Sequence, residues 1–345
     1  MRVALVTPSR LSNSLGRTYV HWELCRMAKW EVLTIAADSE EIWPPLRSSE
    51  FGQSVLPADS FAEIITFRPD VVICVKPLIE SMDLARRISD IVSAPVIVDI
   101  DDPDLSASLA IGSPFRAAVK WMLYPAFMRA TSARRRLAEA GSVIVSNPTL
   151  RAAHGGVMIP HAREIGVTGN AHETSAPLIA FIGTNRDHKG IPELRKVVER
   201  LHAEAGFRLI VTDDPPTDAK DWESWIGQTS FSDGMALLRS ADIVALPSRR
   251  VPFARGQLPA KLMDAMFAGR AIIVSDVAPL PWAVGDAGLV FRAGRTDELY
   301  ERLSRFRDPQ TRAEYGRRAR NRAISMFSFE ALLPAYTEAL KAARL

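Results

Sequence analysis

LPAKLMDAMFAGRAIIVSD, residues 258–276, decides how this chain is read. Pro259 suits the first turn of a helix, where a missing N–H costs little. Gly269 suits its C-terminal cap. A short apolar run, residues 271–274, follows at once and reads as a buried strand. Upstream, residues 248–257 form a polar loop with Arg249, Arg250 and Arg255. A basic loop feeding a helix N-terminus suits an anion, because free N–H groups and the helix dipole both favour negative charge there. Lys261 and Asp264 lie one turn apart on that helix, and Asp264 could accept hydrogen bonds from a sugar attached to the anion. The arrangement suits a nucleoside diphosphate. The same pattern also describes an ordinary amphipathic helix–strand unit with a solvated carboxylate, and a Lys261–Asp264 surface pair would be worth only a few tenths of a kcal/mol.

The same alternation of strand and helix extends outward. Apolar runs at residues 3–6, 32–35, 71–75, 96–100 and 143–145 are strand candidates, with helices near 19–28, 82–92 and 115–140, the last broken at Pro125. Runs at 178–182, 207–211, 243–246, 271–274 and 289–291 repeat the theme. Short strands that are apolar throughout have both faces buried, which predicts an α/β fold of doubly wound parallel sheets. Residues 163–177 have few large apolar side chains and read as a linker. The expectation is two Rossmann-like domains facing a central cleft, with ligands at the carboxyl ends of the strands. The last helix, residues 329–343, places Leu332, Tyr336 and Leu340 on one face.

Composition narrows the function. The chain has 345 residues, enough for two domains, and a net charge of only +3, which is no nucleic-acid signature. Its two cysteines, Cys25 and Cys74, fall in an expected helix and strand and show no metal-ligand spacing. Residues 2–7 read as a strand rather than a secretory signal, and a reducing, cytoplasmic compartment is expected. No apolar run approaches the roughly 20 residues needed to cross a bilayer. Residues 113–136 carry Arg116, Lys120, Arg129, Arg134, Arg135 and Arg136 among Trp121, Tyr124 and Phe127, with no acidic residue. Such a helix can lie on anionic lipid, at the inner face of the plasma membrane, or bury its apolar face in its own domain.

Several segments occur in an order that resembles the GT-B glycosyltransferases of family 4, the "glycosyltransferase group 1" type. PLIAFIGTNRDHKGIPELRKVVERL, MALLRSADIVALPS, LPAKLMDAMFAGRAIIVSD and DAGLVFRAGRTDELYERL follow one another in the second half. MRVALVTPSR, PDVVICV, PVIVDIDDPD and SVIVSNPTLRAAHGGVMIPHA do so in the first. The resemblance implies a retaining, metal-independent transferase with no cofactor, moving a sugar from a nucleoside-diphosphate sugar to a glycan or lipid-linked acceptor in cell-envelope or other glycan synthesis. Residues 1–162 with a returning helix 329–345 would bind acceptor, and residues 178–328 donor. A nucleotide-sugar epimerase and a non-catalytic nucleotide- or partner-binding protein are the rival readings.

The resemblance also assigns residues. Asp264 stands at the second of two glutamates that are separated by seven residues, the one that binds ribose. The first falls at Gly256 and is absent, although backbone amides of Gly256, Gln257 and Leu258 could still meet the donor. Lys189 matches the diphosphate-binding lysine. Its partner arginine would fall at Thr184, so Arg186 or Arg255 is the expected substitute. Gly183 forms the domain's first turn, and Lys261 joins the donor set. Gly16 and Arg17 follow the first strand and are expected at the acceptor. Asp101 stands where the family has histidine, as a carboxylate able to stabilise an oxocarbenium-like centre, and the DDPD sequence is also a natural turn. His161, in Pro160-His161-Ala162-Arg163, is the second catalytic candidate, and interdomain packing would explain it too.

Overall fold

A computed structural model describes residues 1–103, 125–138, 141–183, 186–252 and 254–344. They divide into two compact units, Met1–His161 with Leu332–Leu345, and Ala162–Ala331.

The first unit holds β1 (Arg2–Thr7), β2 (Glu31–Ala36), β3 (Val55–Leu56), β4 (Val71–Val75), β5 (Val96–Ile100), β6 (Ser142–Val145) and β7 (Val157–Met158). They form one sheet in the order β3-β2-β1-β4-β5-β6-β7, and every pairing is parallel. The second unit holds β8 (Leu178–Phe181), β9 (Arg208–Val211), β10 (Glu223–Trp225), β11 (Ile243–Leu246), β12 (Ala271–Ser275) and β13 (Leu289–Phe291). Their order is β10-β9-β8-β11-β12-β13, again parallel throughout. In each sheet the winding reverses once, between β1 and β4 and between β8 and β11. A reversal leaves a crevice at the carboxyl ends of those strands, where doubly wound folds bind ligands.

The apolar strand runs are explained by burial on both faces. Side chains alternate across a strand. Ile179, Phe181, Ile243, Ala245, Ala271 and Ile273 pack with Leu194, Val198 and Leu201 of the Ile191–Ala205 helix. Ala180, Val244, Leu246, Ile272 and Val274 pack on the opposite side with Leu262 and Met266 of the Ala260–Phe267 helix. In the first unit, Ala4, Val6, Val72, Cys74, Val98 and Ile100 pack with Met82, Ala85 and Ile88 of the Ile79–Val92 helix.

Three strands went unread in the sequence: β3, β7 and β10 are two or three residues long, too short to show a period. Gly16 was expected in a loop, but the helix that follows β1 spans Leu15–Met27 and includes it. The helix opening residues 258–276 spans Ala260–Phe267, with Pro259 as its N-cap. The basic and aromatic stretch 113–136 lies outside the described residues as far as 124, and the Pro125–Ala138 helix is its remainder. Among the described residues, no helix is long and apolar enough to cross a membrane.

Residues 163–177, expected as a linker, are counted with the second unit. Gly169 donates its amide to Ala268 O at 2.9 Å and Asn170 to Arg239 O at 2.8 Å. A ring nitrogen of His172, Nε2, lies 3.0 Å from Gly269 O, and Arg312 Nη2 donates to Thr174 O. The Phe329–Arg344 helix carries Leu332, Tyr336 and Leu340, all buried. Tyr336 OH lies 3.2 Å from His21 Nδ1 and 3.5 Å from Cys25 Sγ, inside the first unit. Both cysteines are free and buried, and burial pushes each thiol up to about 12.

Candidate functional site

The second unit gathers its chemistry past the ends of β8 and β11. After β8 the chain turns at Gly183, whose amide donates to Thr212 Oγ1 at 2.7 Å. It then makes a tight turn over Asp187–Lys189 that ends at Gly190, with φ of +72°. A Cβ at Gly190 would sit 2.0 Å from Pro247 O, so glycine lets this turn press against the segment that leaves β11. The approach brings Lys189 Nζ to 3.2 Å from Gln257 Oε1. Two residues expected at the donor, distant in sequence, are therefore neighbours.

Gly256 also has a positive φ, +95°. This is backbone that a residue with a Cβ would adopt only under strain. The Gly256 and Gln257 amides of the expected cradle are already engaged: Gly256 N donates to Ala278 O at 2.8 Å, in the segment after β12, and Gln257 N to Ala254 O at 3.2 Å, within the loop. Leu258 is a core residue, 1% exposed. Arg186 and Arg255 are both exposed, so the structure leaves two cations able to reach an anion. Thr184 lies outside the described residues.

Asp264 is 1% exposed. Its Oδ1 accepts a hydrogen bond from Arg163 Nε at 2.5 Å. Its Oδ2 is buried with no hydrogen-bond partner among the described residues, and the Lys261 ammonium stands 3.8 Å away. Burial pushes the Lys261 pKa down against the pull of Asp264. The lysine also lies 5.3 Å from the centre of the Phe231 ring, within cation–π range. One buried carboxylate between two cations leaves a net positive cluster, able to attract a phosphate, with one acceptor oxygen left for a hydroxyl.

The first unit places Lys76, Asp101 and Asp102 past the ends of β4 and β5. Lys76 Nζ donates to Asp102 Oδ2 at 3.0 Å and lies 3.5 Å from Asp101 Oδ1. Lys76 has φ of +61°, a strained position for a residue with a Cβ, and such strain concentrates at functional sites. Asp101 is 4% exposed, and its Oδ1 has no hydrogen-bond partner among the described residues. Burial pushes its carboxyl up to about 7, Lys76 pulls it down, and the neighbouring Asp102 and Asp99 charges raise it further. A carboxyl balanced near neutrality can exchange a proton during turnover.

Arg17, expected at the acceptor, is a core residue instead. Its Nε and Nη2 donate to the two oxygens of Asp99 at 2.9 and 2.6 Å, and its Nη1 and Nη2 donate to Pro160 O and Ile159 O. The Leu15–Met27 helix turns this side chain inward, where it is 1% exposed. Burial alone would raise Asp99, but Arg17 and His21 hold it well below the usual carboxylate range. Gly16, one residue earlier, has open space: a Cβ there would meet nothing within 4 Å. His161 is buried at 8% exposure at the unit's end. Sequence reasoning missed Lys76, which shows no motif, and Arg163, which looked like the start of a linker. Among the described residues, no group of three His, Cys, Asp or Glu side chains is placed to hold a metal ion.

Comparison with known proteins adds to this geometry. Residues 176–308 match the model of the family described as glycosyl transferases group 1. No curated protein sequence matches the chain. Among solved structures, HepE from Anabaena in complex with UDP-glucose superposes with a TM-score of 0.72 at 14% identity, covering 99% of this chain and 100% of that one. Sucrose-phosphate synthase from Thermosynechococcus elongatus gives 0.70 at 14% identity, covering 99% and 98%. The lipopolysaccharide outer core galactosyltransferase WaaB gives 0.65 at 12% identity, covering 99% of each chain.

Proposed function

We propose that the protein transfers a sugar, with retention and without a metal or other cofactor, from a nucleoside-diphosphate sugar to a glycan or lipid-linked acceptor; the match of residues 176–308 to the group 1 glycosyl transferase model and the GT-B fold of the chain support this reading. The observation that carries this reading is Asp264: a buried carboxylate on the helix that follows β11, beside Lys261, with one oxygen that has no hydrogen-bond partner among the described residues. In this reading Asp264 accepts from the ribose, and Lys189 and Lys261, with Arg186 or Arg255, hold the diphosphate. The cations matter most as the glycosidic bond breaks and charge builds on the leaving group. The leaving diphosphate takes the acceptor proton on the same face of the sugar. Asp101 supports the positive charge that develops on the sugar, and His161 lies near the acceptor. A solved UDP-glucose complex of HepE and a lipopolysaccharide galactosyltransferase of the same fold support a nucleotide-sugar donor and an envelope acceptor. Work at the cytoplasmic face of a membrane, through residues 113–136, belongs to the same reading.

The test is calorimetry with UDP, GDP and ADP and their sugar conjugates, followed by donor turnover with and without acceptor. Lys189→Met and Asp264→Asn should each weaken diphosphate binding roughly tenfold or more, the worth of one charged hydrogen bond. Unchanged binding in both variants would remove the donor assignment. Glycine at 256, in backbone that disfavours a glutamate, favours one alternative: a nucleotide-binding protein without transferase activity. Tight binding with no turnover of any donor would identify it.

A further inference from the structure

A free carboxylate offers a ribose two equivalent oxygens, but those of Asp264 differ. Oδ1 accepts from Arg163 Nε at 2.5 Å. Oδ2 is buried without a hydrogen-bond partner among the described residues. Lys261 Nζ, at 3.8 Å, is too far to donate to it. Arg163 is held in place by its own backbone. Its amide donates to Phe327 O at 2.9 Å, its carbonyl accepts from Phe329 N at 3.3 Å, and it forms a parallel bridge with Ser328. Its Nη1 donates to Ala162 O at 2.8 Å. Its guanidinium is therefore held at two points, Asp264 Oδ1 and Ala162 O, on a backbone that is itself tied.

We infer that Arg163 is a positioning residue that clamps the Asp264 carboxylate and so presents Oδ2 alone to one hydroxyl of a nucleoside ribose. The inference rests on the nucleotide-sugar reading above. The clamp has a chemical consequence. An unclamped carboxylate can turn either oxygen toward the ribose and hold neither hydroxyl firmly, whereas the clamp aims Oδ2 at one of them. The protein should therefore be sensitive to the loss of one ribose hydroxyl and tolerant of the loss of the other.

The experiment is calorimetry on the full chain with whichever of UDP, GDP or ADP binds most tightly, together with its 2′-deoxy and 3′-deoxy forms. The unaltered protein should lose roughly tenfold in affinity with one deoxy form and little with the other. Arg163→Gln should bind the ribo form about as weakly as the sensitive deoxy form, so that discrimination disappears, and Arg163→Lys should recover part of it. If Arg163→Gln does not melt cooperatively, Arg163→Gln/Asp264→Asn, which leaves no buried unpaired charge, is compared with Asp264→Asn, and the two should show the same deoxy ratios. Arg163→Gln keeping the original ratios would reduce the arginine to a structural tie. Tighter binding by Arg163→Gln would make it a plug, and equal losses with both deoxy forms would mean that both oxygens serve. Each of these results overturns the inference while leaving the donor site intact. If instead the unaltered protein ignores both deletions and Asp264→Asn binds as well as it does, the ribose role of Asp264 fails, and the inference with it.

Discussion

Asp99 in the first unit and Asp264 in the second are both buried, and each is paired with an arginine. At Asp99 both oxygens accept from Arg17, and His21 Nε2 stands 3.3 Å from Oδ1. At Asp264 one oxygen is bonded and the other is not. The first pair is complete without a ligand, so its role ends with the fold. The second is incomplete, and a buried acceptor without a partner costs about 1–3 kcal/mol, which a ligand hydroxyl would recover. Asp101 stands with Asp264 in this respect, because its Oδ1 also lacks a hydrogen bond among the described residues. On the proposed function, partner satisfaction is what separates Asp99, which builds the fold, from Asp264 and Asp101.

The comparison can be broken most forcefully at Arg17. Arg17→Met leaves Asp99 buried with His21 as its remaining partner, and should cost about 3–5 kcal/mol of unfolding free energy in urea. A loss below 1 kcal/mol would show that a complete pair is no more structural than an open one. Asp101 sharpens the comparison through pH. Its carboxyl is held up to about 7 in the folded protein, against roughly 4 in an unfolded chain. Below pH 4 both forms hold the proton. Between pH 4 and 7 the unfolded chain releases it and the folded one keeps it, so this contribution to stability is lost as pH rises toward 7. Asp101→Asn removes the effect. Its melting temperature should gain on that of the unaltered protein from pH 4 to 7, and parallel curves would contradict the assignment.

Two glycines give smaller effects. Gly256→Ala must adopt φ of +95° and should destabilise by about 1–2 kcal/mol in the same urea titration. Gly16→Ala lies in the first turn of a helix with nothing within 4 Å of the new methyl. It should stabilise by about 0.5–1 kcal/mol. If an acceptor approaches that backbone, the same variant raises the acceptor KM with kcat little changed.

Much of the architecture was legible because apolar runs such as residues 71–75 and 271–274 leave little choice but a strand buried on both faces. The edge strands β3, β7 and β10 were not: Glu223–Trp225 pairs with β9, and its residues, Glu, Ser and Trp, carry no apolar pattern. At the site, Lys189, Gln257, Lys261 and Asp264 were named from their segments, but nothing local says that Lys189 meets Gln257. Arg17 was misplaced because an arginine near a strand end looks the same in sequence whether its helix turns it inward or outward. The Arg163–Asp264 pair was invisible for a similar reason, since 101 residues separate its members.

The segment 163–177 has a practical consequence. Its small polar residues suggest a disposable tether, but the Gly169 and Asn170 amides, the His172 ring and the Thr174 carbonyl stitch it to Ala268, Arg239, Gly269 and Arg312. Anyone preparing the second half alone should therefore begin at Ala162 and not at the first strand. A fragment trimmed to residue 178 would strip Arg163 from Asp264 and His172 from Gly269, and would expose surface that the intact molecule keeps covered.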